Sequence, residues 1–263
     1  MEAQPPQFLS VSDAYGDRKL ATLQTDGAAP GLFWMQGFMS DMVSTKAAAL
    51  SEWSSAHGIQ MTRFDYSGHG QSGGDFRKAT VSQWLADSCA VFDALTSGPQ
   101  IVIGSSMGGY LAMLLADAIA ARGNSRVVGL ILIAPAWDMT EELMWAEFPE
   151  PVRAEVMSNG VWMRPSAYGD PYPITRDLIE DGRSHLYGGE PWSPGCPTRI
   201  IHGRLDPDVP FAHGVALREM IAAAAPDADV DLIEVPDGEH RLSRPQDLDL
   251  LIKTTRDLRA RLA

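Results

Sequence analysis

Short apolar runs alternate with amphipathic stretches along most of this chain. Leu32–Met35, Ile59–Tyr66, Ile101–Ile103, Val127–Ile133, Thr198–Ile201 and Val230–Val235 are rich in aliphatic and β-branched residues. They are too short for helices and read as strands, several of them buried on both faces. Between them lie helical patterns. Residues 45–56 read as a helix stopped at His57-Gly58. Thr80 with Gln83 three residues on reads as a capping box before a helix that carries Trp84, Leu85, Val91, Phe92 and Leu95 on one face. Leu111, Leu114, Leu115, Ala118 and Ile119 follow helical spacing, as do Leu248, Leu251, Leu258 and Leu262 in a final helix from Pro245. A further helix is expected near 211–224. This alternation predicts an α/β fold with a mostly parallel sheet and helices on both faces. Segments 7–11 and 19–25 are expected as antiparallel edge strands.

The alternation stops between 137 and 195, after the strand at 127–133. Trp137, Leu143, Met144, Trp145, Phe148, Trp162 and Tyr168 are among the large apolar residues of that interval. The pattern predicts a helical cap at 137–195 inserted into a core made of 1–136 and 196–263. Most of these side chains are expected to form the cap's own core. Trp145, Trp162 and Tyr168 are candidates for an apolar substrate pocket, which favours an acyl or aromatic group over a sugar or a phosphate.

Composition narrows the picture. At 263 residues, the chain is long enough to bury roughly three quarters of its unfolded surface and needs neither disulfide nor metal for stability. Cys89 and Cys196 are its two cysteines, no C-x-x-C or Cys/His spacing suggests zinc, and two free thiols in a reducing compartment are the expectation. A net charge of −13 without basic clusters argues against nucleic acid and anionic membrane surfaces as partners. The first fifteen residues carry no signal-peptide pattern and no run of apolar residues is long enough to span a bilayer. A cytoplasmic protein is expected.

Candidate chemistry centres on Gly104-Ser105-Ser106-Met107-Gly108-Gly109, directly after the strand Ile101–Ile103. This is G-x-S-x-G between a strand and a helix, a sharp turn that can hold a serine hydroxyl where a base and a substrate both reach it. Gly104 and Gly108 fall where crowding is worst. A tight turn needing small residues is the bland alternative. An acid and a histidine placed after later strands favour the chemical reading. Asp206 follows the strand at 198–201 and His240 follows the strand at 230–235, in the order Ser, Asp, His. In such sheets ligands bind outside the carboxyl ends of strands, where all three residues fall. Asp208 and Asp138 are rival acids, the latter with capping-box-like spacing to Glu141, and His69 is the nearest rival histidine. An oxyanion needs two donors. The Met107 N–H, just after the serine, and the Phe38 N–H, after the first central strand and Gly37, are the candidates.

With these residues assembled, the chain resembles the α/β-hydrolase superfamily over nearly its whole length. More narrowly it is similar to that superfamily's palmitoyl-protein thioesterase and acyl-glucuronide hydrolase lineage. The resemblance is carried by Arg63-Phe64-Asp65-Tyr66-Ser67-Gly68, by Gly98-Pro99-Gln100-Ile101 running on to Gly109, and by Gly160-Val161-Trp162. His202-Gly203 through Asp206 to Val209-Pro210, and Asp229-Val230-Asp231 leading to His240-Arg241, extend it. It implies Ser106 as nucleophile, Asp206 as acid and His240 as base. It also implies hydrolysis of a small-molecule ester or thioester without a cofactor. A C–C bond hydrolase, lactonase or perhydrolase on the same fold, or a ligand receptor with vestigial activity, are the alternative readings.

Overall fold

A computed structural model describes residues 5–165 and 170–262. The chain begins with an antiparallel pair, β1 (Gln7–Asp13) and β2 (Gly16–Thr25), turning at Gly16 with its φ of 86°. β3 (Ala28–Met35), α1 (Thr45–Ala56), β4 (Ile59–Phe64) and α2 (Val81–Leu95) follow. Thr80 caps α2 as its spacing predicts, its hydroxyl accepting the Gln83 N–H at 3.3 Å. β5 (Gln100–Ser105), α3 (Met107–Ala120) and β6 (Val127–Ile133) form the centre of the fold.

The interval after β6 contains a π-helical turn at Glu141–Trp145, α4 (Glu150–Asn159), β7 (Val161–Arg164), β8 (Tyr172–Thr175) and α5 (Arg176–Gly182). Beside the helices expected there, the interval holds two short strands. β7 and β8 pair as a separate antiparallel ribbon, with Val161 opposite Thr175. β9 (Thr198–Gly203), α6 (Phe211–Ala224), β10 (Val230–Val235) and α7 (Pro245–Leu262) complete the chain.

The main sheet runs β1-β2-β4-β3-β5-β6-β9-β10. β1 and β2 are antiparallel, and from β4 to β10 every neighbouring pair is parallel. Every residue of β5 and β9 is buried, which is why Ile101–Ile103 of β5 reads as a continuous apolar run rather than as an alternation. Side chains nevertheless divide between two layers. Phe33, Met35, Val102, Leu130 and Leu132 pack with α2 and α3. Trp34, Ile101, Ile103, Ile131 and Ile133 pack with Leu50 of α1 and Leu251 and Leu258 of α7. Each such side chain taken out of water contributes roughly 1.5–3 kcal/mol, so both layers hold the strand ends rigidly. Among the described residues no helix is long and apolar enough to cross a membrane.

Candidate active site

Ser106 stands between β5 and α3 with φ 56° and ψ −120°, a strained conformation for a residue bearing a side chain. The surrounding glycines explain how the turn closes. A β-carbon on Gly104 would run into the Gly108 carbonyl, and one on Gly108 into the Met35 carbonyl. Backbone bonds hold the turn from several sides. Ser106 N–H donates to the Ile133 oxygen at 2.8 Å, and the Ser106 carbonyl accepts from Gly109 and Ala136 N–H at 2.9 and 3.1 Å.

Asp206 sits in the loop after β9 and His240 in the loop after β10. These loops are tied together: Arg204 N–H donates to the Val235 oxygen and Leu205 N–H to the Gly238 oxygen, both at 2.9 Å. The close approach needs Gly203, whose β-carbon would strike the Gly238 carbonyl. Arg244 braces the histidine loop through Asp237 and Asp247, at 2.8 and 2.9 Å. The result is a continuous chain of polar contacts. His240 Nδ1 lies 2.8 Å from Asp206 Oδ2 and His240 Nε2 lies 3.0 Å from Ser106 Oγ. The remaining Asp206 oxygen accepts N–H groups from Asp208 and Val209 at 2.9 and 2.8 Å.

Burial pushes the Asp206 carboxyl up. Hydrogen bonding from His202 and His240, the His240 charge and the Val209 N–H outweigh burial and hold it well below the usual carboxylate range. Asp206 is therefore an anion facing the imidazole. His202, near the end of β9, is fully buried. Its Nε2 lies 2.9 Å from the Val209 oxygen, and it also stands 3.6 Å from Asp206 Oδ2.

Of the rivals, Asp138 and His69 are engaged elsewhere, whereas Asp208 stays at the site. Asp138, with φ 53°, accepts the Tyr187 and Gly188 N–H groups at 2.8 and 2.7 Å. It anchors the returning chain there, and no side-chain cap forms at Glu141. Asp208 lines the cavity in front of Ser106. His69 is buried and lies beside the loop that carries Phe38.

That loop presses against the serine. A β-carbon on Gly37 would stand 3.3 Å from Ser106 Cβ and 3.2 Å from the Ser105 oxygen, so a side chain here would push its neighbours by a few tenths of an ångström. The Phe38 and Met107 N–H groups find no acceptor among the described residues. The Phe38 ring is seated among Phe76, Trp84 and Tyr172, with centroids 5.1, 5.9 and 5.6 Å away.

A cavity of about 540 Å³ opens over Ser106 and His240. Met139, Leu143, Met144 and Tyr172 supply an apolar wall from the inserted interval, while Lys46, Arg164 and Arg241 also line the cavity. Burial and the neighbouring Arg241 lower Lys46 to about 8. Two of the expected pocket residues are displaced. Trp145 has the guanidinium groups of Arg153 and Arg183 over its ring, 5.6 and 5.2 Å from the centroid. Trp162 packs on Phe148 with centroids 5.1 Å apart. Neither lines the cavity, because the π-helical turn directs Leu143 and Met144 inward and the β7 strand packs Trp162 against Phe148. Tyr168 lies outside the described residues.

Asp206, Asp208 and His240 bring potential ligand atoms within 4.8 Å of one another. Both Asp206 oxygens and both His240 nitrogens already have partners within the protein, which leaves these two residues poorly placed to hold a cation.

A glycine-walled serine turn, a buried anion and a bridging imidazole at the strand ends of a mostly parallel sheet define the α/β-hydrolase class, and the chain belongs to this family. The family profile described as serine aminopeptidase, S33, matches residues 36–180. The mitochondrial palmitoyl-protein thioesterase ABHD10 of Homo sapiens is 34% identical over 241 residues, covering 91% of this chain and 76% of that protein. The structure of mouse α/β-hydrolase domain-containing protein 10 superposes with a TM-score of 0.85 at 32% identity, covering 99% of this chain and 100% of that one. A crystal structure from Agrobacterium vitis S4 matches with a TM-score of 0.91 at 39% identity, covering 97% and 98%.

Proposed function

We propose that this protein is a serine hydrolase that cleaves carboxylic ester or thioester bonds of acyl substrates. The observation that carries the reading is the contact chain from Ser106 Oγ through His240 to buried Asp206, at 3.0 and 2.8 Å. His240 Nε2 takes the Ser106 proton as Oγ adds to the substrate carbonyl carbon. Asp206 holds the imidazole by Nδ1–H and balances the imidazolium. The oxyanion develops between the Phe38 and Met107 N–H groups, each worth roughly 10²–10³ in rate when aimed at that charge. His240 then protonates the leaving alcohol or thiol. Water, activated by the same imidazole, releases the acid from Ser106.

The interval 137–195 acts as a cap that selects the acyl group. Its Met139, Leu143 and Met144 at the cavity wall suit an adaptable apolar chain. The relatives named palmitoyl-protein thioesterase support thioesters as well as esters. Unpaired Cys89 and Cys196 accord with a cytoplasmic location.

A series of p-nitrophenyl esters and acyl thioesters from acetyl to palmitoyl tests the proposal. Turnover of both leaving groups, with kcat/KM rising along part of the acyl series, is expected. Activity confined to diketones, lactones or halide oxidation would overturn it.

A further inference from the structure

We propose that His69 is a positioning residue of the oxyanion site: its imidazole holds the Met39 N–H and so turns the neighbouring Phe38 N–H toward Ser106. The proposal rests on the reading of Ser106 as nucleophile.

The segment Gly37–Ser40 is a tight turn closed by the Ser40 N–H to the Gly37 oxygen at 3.2 Å. Its third residue, Met39, has φ 56°. Glycine is favoured at such a position, and a methionine there is strained. Packing does not compensate, because Met39 is 55% exposed. What holds it is a hydrogen bond from its N–H to His69 Nε2 at 3.3 Å. The other ring nitrogen faces the Ser67 oxygen at 3.3 Å. These two partners select one neutral tautomer, with the proton on Nδ1 and the Nε2 lone pair toward Met39. Burial favours that neutral form.

The ring itself cannot swing away. It is 4% exposed and stands edge-on to Tyr66, Phe76 and Trp84, with centroids 5.7, 5.1 and 5.3 Å away. Phe76 and Trp84 also seat the Phe38 ring. A second tie joins the same two loops, since Asp65 Oδ1 accepts the Met42 N–H at 2.7 Å. The Met39 N–H is therefore committed to His69, and Phe38 supplies the amide of this turn that is left for the reacting oxygen.

The test compares His69→Phe, which keeps a ring in the aromatic setting but removes the acceptor, with His69→Gln, whose side-chain oxygen can accept the Met39 N–H. Activity is expressed per site titrated with a fluorophosphonate, so a loss of folded protein does not count. For His69→Phe, kcat per site is expected to fall about tenfold or more with KM changed less than about twofold. Affinity for an alkyl trifluoromethyl ketone, which forms an oxyanion on the serine, should fall by the same factor. His69→Gln should recover most of both. Wild-type kcat per site in His69→Phe, or a kcat loss without the matching inhibitor loss, would overturn the proposal. If the wild-type protein is not labelled at Ser106, the nucleophile assignment fails first and this proposal falls with it.

Discussion

Asp206 offers His240 a single oxygen, Oδ2 at 2.8 Å from Nδ1, and gives its other oxygen to the Asp208 and Val209 N–H groups. This division fixes the carboxylate's orientation and leaves no freedom to accept from the imidazole differently. An amide in its place puts an N–H where an acceptor is needed, and the imidazole loses its working tautomer. Asp206→Asn is therefore expected to lower kcat by roughly 10⁴ with the fold retained. Asp138→Asn loses one of two backbone acceptances and should reduce stability by about 1–3 kcal/mol, with kcat per active site little changed. Chemical unfolding and active-site titration separate the two variants. If Asp138→Asn were the catalytically dead one, the acid would have to be reassigned.

Glycines differ in tolerance, and the geometry ranks Gly108 of the serine turn against Gly73 of the loop between β4 and α2. Gly108→Ala forces a β-carbon into the Met35 carbonyl, a backbone atom that cannot step aside. It is expected to cost at least about 2 kcal/mol. At Gly73 the nearest atom is 3.6 Å away, and Gly73→Ala should stay within about 0.5 kcal/mol of wild type. Urea unfolding of the two variants measures the difference. Equal stabilities would mean that the turn relaxes and that the steric account of the motif is wrong.

What was legible in the sequence depended on whether a signal was local. β5, the serine turn and α3 form one contiguous segment whose strand run, glycines and helical spacing concern the same few neighbours. Asp206 and His240 were placed by chain order and by the ends of strands, which a parallel sheet gathers at one edge. The cavity wall was not legible in this way. Which of Leu143, Met144 and Trp145 faces inward is set by a π-helical turn, and no period in the sequence announces one. β7 and β8 are four residues each, and β8 contains Pro173, so neither shows a strand pattern. His69 gave only the weak signal of a lone loop histidine between two glycines. Its bond to Met39 depends on two loops that meet only in the folded sheet.

Burial of His69 also carries a stability cost in acid. The imidazole falls from its ordinary 6.5 to about 4, chiefly through burial, with the Ser67 carbonyl opposing. Between these values the unfolded chain binds a proton that the folded chain refuses, so stability is full above pH 6.5 and declines as pH falls toward 4. The contribution of this one group is at most about 3 kcal/mol. His69→Gln has no such titration. The stability of wild type minus that of His69→Gln should therefore fall by up to about 3 kcal/mol between neutral pH and pH 4. A difference independent of pH in urea titrations would contradict the buried neutral state.

Attack of Ser106 on the substrate carbonyl is the step on which the proposed reaction stands. Its most direct measurement is mass spectrometry of the intact enzyme and its digest after reaction with a fluorophosphonate, alongside kcat of Ser106→Ala on an ester that the wild type hydrolyses. One adduct per chain is expected, on Ser106 and not on Ser105, with kcat lowered by roughly 10⁴ or more in the variant. An adduct on another residue, or near-wild-type turnover by Ser106→Ala, would contradict it.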